Sequence, residues 1–349
     1  MTYAFLVARA VPAGLAALLD QLDAALRRRG WTAVEPDDAL LVLNVVDPER
    51  PRPFRRRARR TYVAAIYDSP DDTPEIITTS YPLLVRSLAN IVLAHTGDGI
   101  WFTTMERGVY RVPARAHDIL DRLLPLASAR LVIDNEFRTD LEPELWLGDA
   151  HTAAIADAGR RIDALGLLPA PFPVDDLLDE RDLRHIRRLY GIGGLSYGNL
   201  SARLDERRFW MSASGIDKSR LERPGRDILL VSDYDANRGV IVLSVPPDVQ
   251  PRRVSVDAIE HWMIYREHPS IGAIMHVHAW LDGIPTTQFN YPCGTEELAV
   301  SVAEALAAEP DPAHAVIGLT NHGVTATGQT LEEILERIGP SLRARVPMV

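Results

Sequence analysis

The sequence predicts an α/β protein of two domains, and three observations carry that expectation. Its 349 residues are more than one ordinary domain holds. Stretches of strand length alternate with apolar stripes of helical spacing, the pattern of α/β folds. A proline-rich stretch, Pro169-Ala170-Pro171-Phe172-Pro173, is the clearest linker in the chain. We therefore expect a smaller α/β domain over 1–168, a linker over 169–175 and a second α/β domain over 176–349.

Tyr3 to Ala8 is expected as the first strand. A helix follows from Ala13 to Arg29, with Leu15, Leu18, Leu19 and Leu22 at helical spacing and Gly30 at its C-cap. Ala39 to Val46 is a continuous apolar run, as in a strand buried on both faces. Pro51 to Arg60 is the only charge run. Such a run can hold phosphate or nucleic acid, but we read it as a solvated loop leading into a strand at Thr61 to Tyr67. Ser80 to Ala94 is expected as one helix, with Leu83, Leu84, Leu88, Ile91 and Val92 as its apolar stripe. Gly99 to Thr104 and Gly108 to Val112 suggest a hairpin, Ala114 to Leu126 a helix and Ala129 to Ile133 a short strand. Asp134-Asn135-Glu136 and Asp140 read as solvated acidic loop, and Ala150 to Leu165 as a helix. This half carries no glycine-rich phosphate loop and no triad-like cluster, so it announces no chemistry.

Composition narrows the function classes. Hydrophobic residues make up 46% and charged residues 25%, as in soluble globular proteins. A net charge of −10 argues against nucleic acid as the main partner. No apolar run is long enough for a membrane helix, and the amino terminus does not read as a signal peptide. The single cysteine, Cys293, excludes an intrachain disulfide and suits a reducing cytoplasm, where we expect the protein to reside.

The second half is where chemistry is legible. Asp176 to Tyr190 is expected as its opening helix and Leu200 to Leu204 as a strand, with a hairpin at Ile228 to Ser232 and Gly239 to Leu243. Ile271 to Ala279 reads as a strand, so His276 and His278 point to the same face. Two imidazoles so spaced reach one small ion, and a third from elsewhere would complete a three-ligand site with an open position. A bare His-x-His is more often two unrelated histidines, so its surroundings decide. Upstream, Ser255 to His268 reads as a helix stopped before Pro269, with Asp257 and His261 on one face. Downstream, Asn321-His322-Gly323 follows a strand at Ala315 to Leu319, and Leu331 to Ile338 reads as a last helix with a capping box at Thr330 and Glu333.

These segments stand in a recognisable order: Gly198-Asn199-Leu200-Ser201, Ser212-Ala213-Ser214-Gly215, the Asp257 helix, the His276 and His278 strand, Gly294-Thr295-Glu296-Glu297-Leu298, and Asn321-His322-Gly323. Residues 176–340 thereby resemble the class II aldolase/adducin family. The resemblance implies a central, mostly antiparallel sheet covered by helices. It implies that His276, His278 and His322 bind a divalent ion, zinc first, with manganese, cobalt or nickel as alternatives. Asn321 is a candidate supporting residue beside these ligands. Gly198, Asn199, Ser214, Gly215 and Ser255 would line the substrate pocket, which holds phosphate in sugar-phosphate members. Where those members carry a second serine this chain has Val256, so a carboxylate or a neutral polar group is expected as readily.

Asp257 stands where aldolase members carry a glutamate acid/base and where epimerase members carry a metal-binding aspartate; we lean to acid/base. Only fifteen residues separate His278 from Gly294, fewer than in relatives, and Tyr291 is the best substitute proton donor. His261 reads either as a fourth participant or as a packed histidine, and Lys218, the only lysine, as a surface residue. The function so implied is a metal-dependent lyase that cleaves or forms a C–C bond in a small hydroxy-carbonyl substrate through a metal-stabilised enediolate. A homo-oligomer is expected with it. Alternatives are a sugar-phosphate epimerase or a decarboxylase on the same site. A non-catalytic, adducin-like interaction module ranks lower, because that branch lacks the metal histidines retained here.

Overall fold

The computed structural model describes residues 1–7, 11–104, 108–168, 174–190 (side chains of 187–190 excepted) and 197–348. The proline-rich linker expected at 169–173 and the glycine-rich stretch at 191–196 lie outside them. The described residues pack as two compact units. One comprises those of 1–128 and 172–190 with Met348, the other those of 129–171 and 191–347.

The first unit runs β1 (Thr2–Val7), α1 (Ala13–Arg28), β2 (Thr32–Ala33), β3 (Leu41–Val45), β4 (Tyr62–Asp68), α2 (Ile77–Arg86), β5 (Ile91–His95), β6 (Gly99–Thr104), β7 (Gly108–Pro113) and α3 (Ala116–Ser128). Its sheet has the order β2-β1-β3-β4-β5-β6-β7. The pairs from β2 to β5 are parallel, and β6 and β7 close one edge as an antiparallel hairpin. Strand side chains alternate between two cores, as a pleated strand requires. Leu41, Leu43, Ala64 and Ile66 pack with Leu18 and Leu22 of α1 and Ile119 and Leu123 of α3. Val42, Val63 and Ala65 pack on the other face with Leu83 and Leu84 of α2. Both faces are thus covered, which explains the unbroken apolar run at β3.

The helix expected over Ser80 to Ala94 ends at Arg86, and its second half is the buried strand β5. The reversal falls at Leu88, whose φ is +57°, a left-handed value that no continuing helix accepts. Arg56 clamps this turn, donating to Leu88 O at 2.8 Å, Asn90 Oδ1 at 3.1 Å and Thr61 O at 3.2 Å. One arginine of the supposedly solvated basic run is therefore structural.

The second unit begins with β8 (Asp134–Arg138) and α4 (Ala150–Ala164). The chain then adds α5 (Val174–Leu177) and α6 (Glu180–Tyr190) to the first unit, where Asp182 holds Arg86 of α2 at 2.7 Å. It continues in the second unit with β9 (Asn199–Arg203), β10 (Phe209–Ser212), β11 (Ile228–Asp235), β12 (Val240–Ser244), α7 (Ala258–Glu267), β13 (Ala273–Val277), α8 (Glu296–Ala307), β14 (Val316–Leu319), β15 (Gly323–Gly328) and α9 (Leu331–Ile338). The sheet order is β14-β15-β13-β9-β10-β11-β12-β8. Every neighbour pair is antiparallel except β12 with β8. The mostly antiparallel sheet expected for this half is present.

The strand expected at Ala129 to Ile133 contributes only an isolated bridge, Leu131 to Thr295. The strand is instead the acidic Asp134-Asn135-Glu136 segment, expected as loop. It sits at the sheet edge, where one side faces water and polar side chains cost nothing.

Candidate metal centre

β13 lies between β9 and β15, with His276 opposite Asn199 on one side and Thr325 on the other. That register brings three of the expected segments together at one end of the sheet. His278 follows the strand directly, and His322 lies in the tight turn joining β14 to β15. The turn is closed by His322 N donating to Leu319 O at 2.9 Å, with Asn321 at φ +58°. Asparagine is one of the few residues that tolerate that conformation. The Asn321 backbone thus shapes the turn that presents His322.

His276, His278 and His322 are all buried, and one nitrogen from each lies within 4.8 Å of the others. The Nε2 atoms of His278 and His322 are 3.0 Å apart. Two nitrogens bound tetrahedrally to zinc at about 2.0–2.1 Å stand roughly 3.3 Å apart, so the spacing suits a shared ion. His276 Nδ1 is 3.1 Å from Val324 O, a bond only an N–H can make. That fixes Nδ1 as the donor and leaves Nε2 as the lone-pair nitrogen, the tautomer a ligand needs. By these tests the residues present fit a divalent ion.

Two glycines allow the approach. At Gly198, φ is +84° and a Cβ would lie 2.4 Å from His276 O. At Gly323 a Cβ would lie 2.3 Å from Val277 O and 3.0 Å from His278 Cα. Gly198 therefore has a packing role that the sequence reading, which placed it in the substrate pocket, did not identify.

The other expected residues have partners of their own. Asn199 is 1% exposed and donates from Nδ2 to Asp257 Oδ2 at 2.8 Å, and its Oδ1 has no partner among the described residues. Asp257 is the N-cap of α7 but makes no side-chain cap bond, and it is not part of the three-nitrogen cluster. Ser214 and Ser255 come together through the Ala213 to Val254 bridge, with Ser214 N on Arg253 O at 2.9 Å and Ser255 N on Ser212 O at 3.2 Å. Gly215, at φ +65°, follows directly. Tyr291 is half-buried, with its ring edge-on to Phe289. Burial raises its hydroxyl pKa, and so do the charges of Glu297 and Glu304. His261 is fully buried, 2.7 Å from Ser201 Oγ, and burial holds its pKa well below the usual value. It is a packed neutral histidine outside the ligand cluster.

Four neighbours escaped the sequence reading. Lys218, expected on the surface, is 3% exposed; burial lowers its pKa to about 8, against the opposing pull of Asp257 and Asp217. Glu260 is 1% exposed, and burial with the charge of Asp257 raises its pKa to about 8. It accepts from Thr325 Oγ1 at 2.6 Å. Its signal was available, since Glu260 is three residues beyond Asp257 and so on the same helix side. Tyr197 packs its ring 5.0 Å from that of His278. Cys293, weighed only for disulfides, places Sγ 3.3 Å from His322 Nε2.

Glu260 makes a testable contribution to stability. A carboxyl whose folded pKa is raised adds stability that is fully present below its unfolded value, near 4.5, and lost as pH rises through about 8. Glu260→Gln keeps the oxygen that Thr325 bonds but cannot ionise. Between those two pH values the metal-free parent is expected to lose melting temperature relative to this variant. Calorimetric scans across that window check it, and parallel curves would contradict the buried, protonated state.

Residues 184–281 match the family model described as the Class II Aldolase and Adducin N-terminal domain. Methylthioribulose-1-phosphate dehydratase of Pseudomonas aeruginosa (strain LESB58) is 36% identical over 95 residues, 27% of this chain and 40% of that protein. The enzyme of the same name from Xanthomonas campestris pv. campestris (strain B100) is 36% identical over 81 residues, 23% of this chain and 32% of that protein. The chain thus spans less than half the length of these curated relatives. A solved L-fuculose 1-phosphate aldolase aligns at 19% identity with a TM-score of 0.37, over 56% of this chain and 84% of that one. The matched span holds Asn199, Asp257, His276 and His278, whereas His322 lies beyond it and joins them through the sheet. Residues 184–281, in the C-terminal half of this chain, are thus what matches the class II aldolase and adducin family.

Proposed function

We propose that the protein is a metal-dependent lyase of the class II aldolase type, acting on a small hydroxy-carbonyl substrate. The observation that carries this reading is the convergence of three buried imidazoles beside a carboxylate held by Asn199. A divalent ion held by His276, His278 and His322, zinc by preference, would supply Lewis acidity toward the substrate's hydroxyl and carbonyl oxygens. Asp257, oriented by Asn199, is the group to accept or return the proton. Glu260 stays protonated behind it, and the Lys218 cation offsets the charge of Asp257. Ser214, Gly215, Ser255 and the Oδ1 of Asn199 would bind the substrate's polar or anionic end. Tyr291 is the proposed acid toward the leaving fragment.

Dehydration is the second reading, favoured by the 36% identity to enzymes named methylthioribulose-1-phosphate dehydratase. Cleavage begins with loss of the proton on the hydroxyl β to the carbonyl, dehydration with loss of a proton from the carbon next to it, and they part at the bond that breaks. Incubating the metal-loaded protein with phosphorylated and unphosphorylated hydroxy-carbonyl compounds, with products followed by mass spectrometry, separates them. Two carbonyl fragments mean C–C cleavage, and loss of 18 mass units means dehydration. Turnover of neither kind would remove the enzymatic reading. We also propose a homo-oligomer in the cytoplasm. Light scattering that finds only monomer at micromolar concentration contradicts the first part. No helix among the described residues is long and apolar enough to cross a membrane.

A further inference from the structure

The first unit contains a cavity of about 440 Å³, within the size range of small-molecule sites. Its place in the fold is specific. Leu6 of β1, Asn44 and Val45 of β3 and Asp68 of β4 line it, all at the carboxyl ends of parallel strands. β1 leads through α1 to β2 on one side, while β3, β4 and β5 follow on the other. The winding therefore reverses between β1 and β3. In open α/β sheets the crevice outside the strand ends at such a reversal is where ligands bind.

The lining points to the ligand's chemistry. Arg50 and Arg52 both line the cavity, are exposed, and form no ion pair among the described residues. The acids of the lining are already engaged: Asp68 holds His95 Nδ1 at 2.7 Å, and Asp47 accepts Glu49 N at 3.0 Å. Arg50 and Arg52 are thus the lining charges that no acid of the described residues pairs, and guanidinium forks suit oxyanions. Asn44 interrupts the apolar run of β3 and is 2% exposed. Its Nδ2 reaches Arg52 O at 3.3 Å, and its Oδ1 has no hydrogen-bond donor among the described residues. An amide oxygen that lines a cavity in this way is free to accept from a ligand donor. Leu15, Val11 and Val46 supply apolar wall.

We infer that the first unit binds a small metabolite with an oxyanionic head, phosphate or carboxylate, on an apolar body, at the carboxyl ends of β1 and β3. The head lies against Arg50 and Arg52, and a donor on the body meets Asn44 Oδ1. This site is separate from the three histidines and stands or falls independently of the lyase reading.

The test is calorimetric titration of the full-length protein with 4-hydroxyphenyl phosphate and with 4-hydroxybenzoate, whose ring hydroxyl supplies the donor. We expect one or both to bind saturably at one site per chain, and the tighter of the two identifies the head. Arg50→Ala/Arg52→Ala, two exposed changes that spare the core, is expected to weaken binding by about ten-fold or more. Asn199→Ala, in the other unit, is expected to leave it unchanged. The inference is overturned if neither probe binds up to about 10 mM, well above ordinary metabolite affinities. It is equally overturned if the double variant titrates like the parent, or if Asn199→Ala alone abolishes binding.

Discussion

Asp257→Asn is expected to lower turnover by about 10²–10⁴-fold, the range for a lost general acid or base, while the metal stays in place. The change preserves shape, since an amide can still face Asn199 across the 2.8 Å bond that now orients the carboxylate. An amide cannot carry a proton at neutral pH, so chemistry fails where architecture does not. The geometry favours this role over a ligand role, because the Asp257 carboxylate is not among the three nitrogens that share one 4.8 Å cluster. Loss of metal from the variant would instead make Asp257 a ligand, as in the epimerase branch. Unchanged metal and unchanged turnover together would strip it of both roles.

Gly323→Ala is expected to cost about 1–3 kcal/mol, the usual range for overpacking a tight interior, and to lower metal affinity with it. A Cβ at this position would stand 2.3 Å from Val277 O and 3.0 Å from His278 Cα. Both neighbours are backbone, which cannot swing aside. Relief requires β15 to move away from β13, and that movement separates His322 from His276 and His278. Chemical denaturation and metal analysis of the variant check the two effects. A variant with parental stability and metal content would mean that the close approach is not what sets the triad.

The triad was the most legible part of the site, for a physical reason. The period of two along a strand places His276 and His278 on one face without any knowledge of the fold. Joining His322 to them took the family resemblance, because it lies 44 positions beyond His278 and no local period spans that distance. Lys218 and Glu260 were missed because charge predicts exposure, and only tertiary packing shows that these two are buried beside Asp257. The over-long helix at Ser80 to Ala94 failed differently. Leu83, Leu84, Leu88, Ile91 and Val92 fit a helical stripe, but a short apolar run is equally a doubly buried strand. The left-handed Leu88 decides between them, and leucine does not advertise that conformation. β8 was misread because an edge strand is specified by backbone pairing with β12 rather than by apolar side chains.

The central claim is that His276, His278 and His322 hold one catalytic divalent ion. Its most direct test is the metal content of the untagged protein, purified without chelator, beside that of His276→Ala prepared in parallel. The account predicts about one divalent ion per chain in the parent, by the three-ligand catalytic pattern, and loss of most of it in the variant. Equal metal content in the two proteins, or a parent that binds no divalent ion when one is supplied, would contradict it.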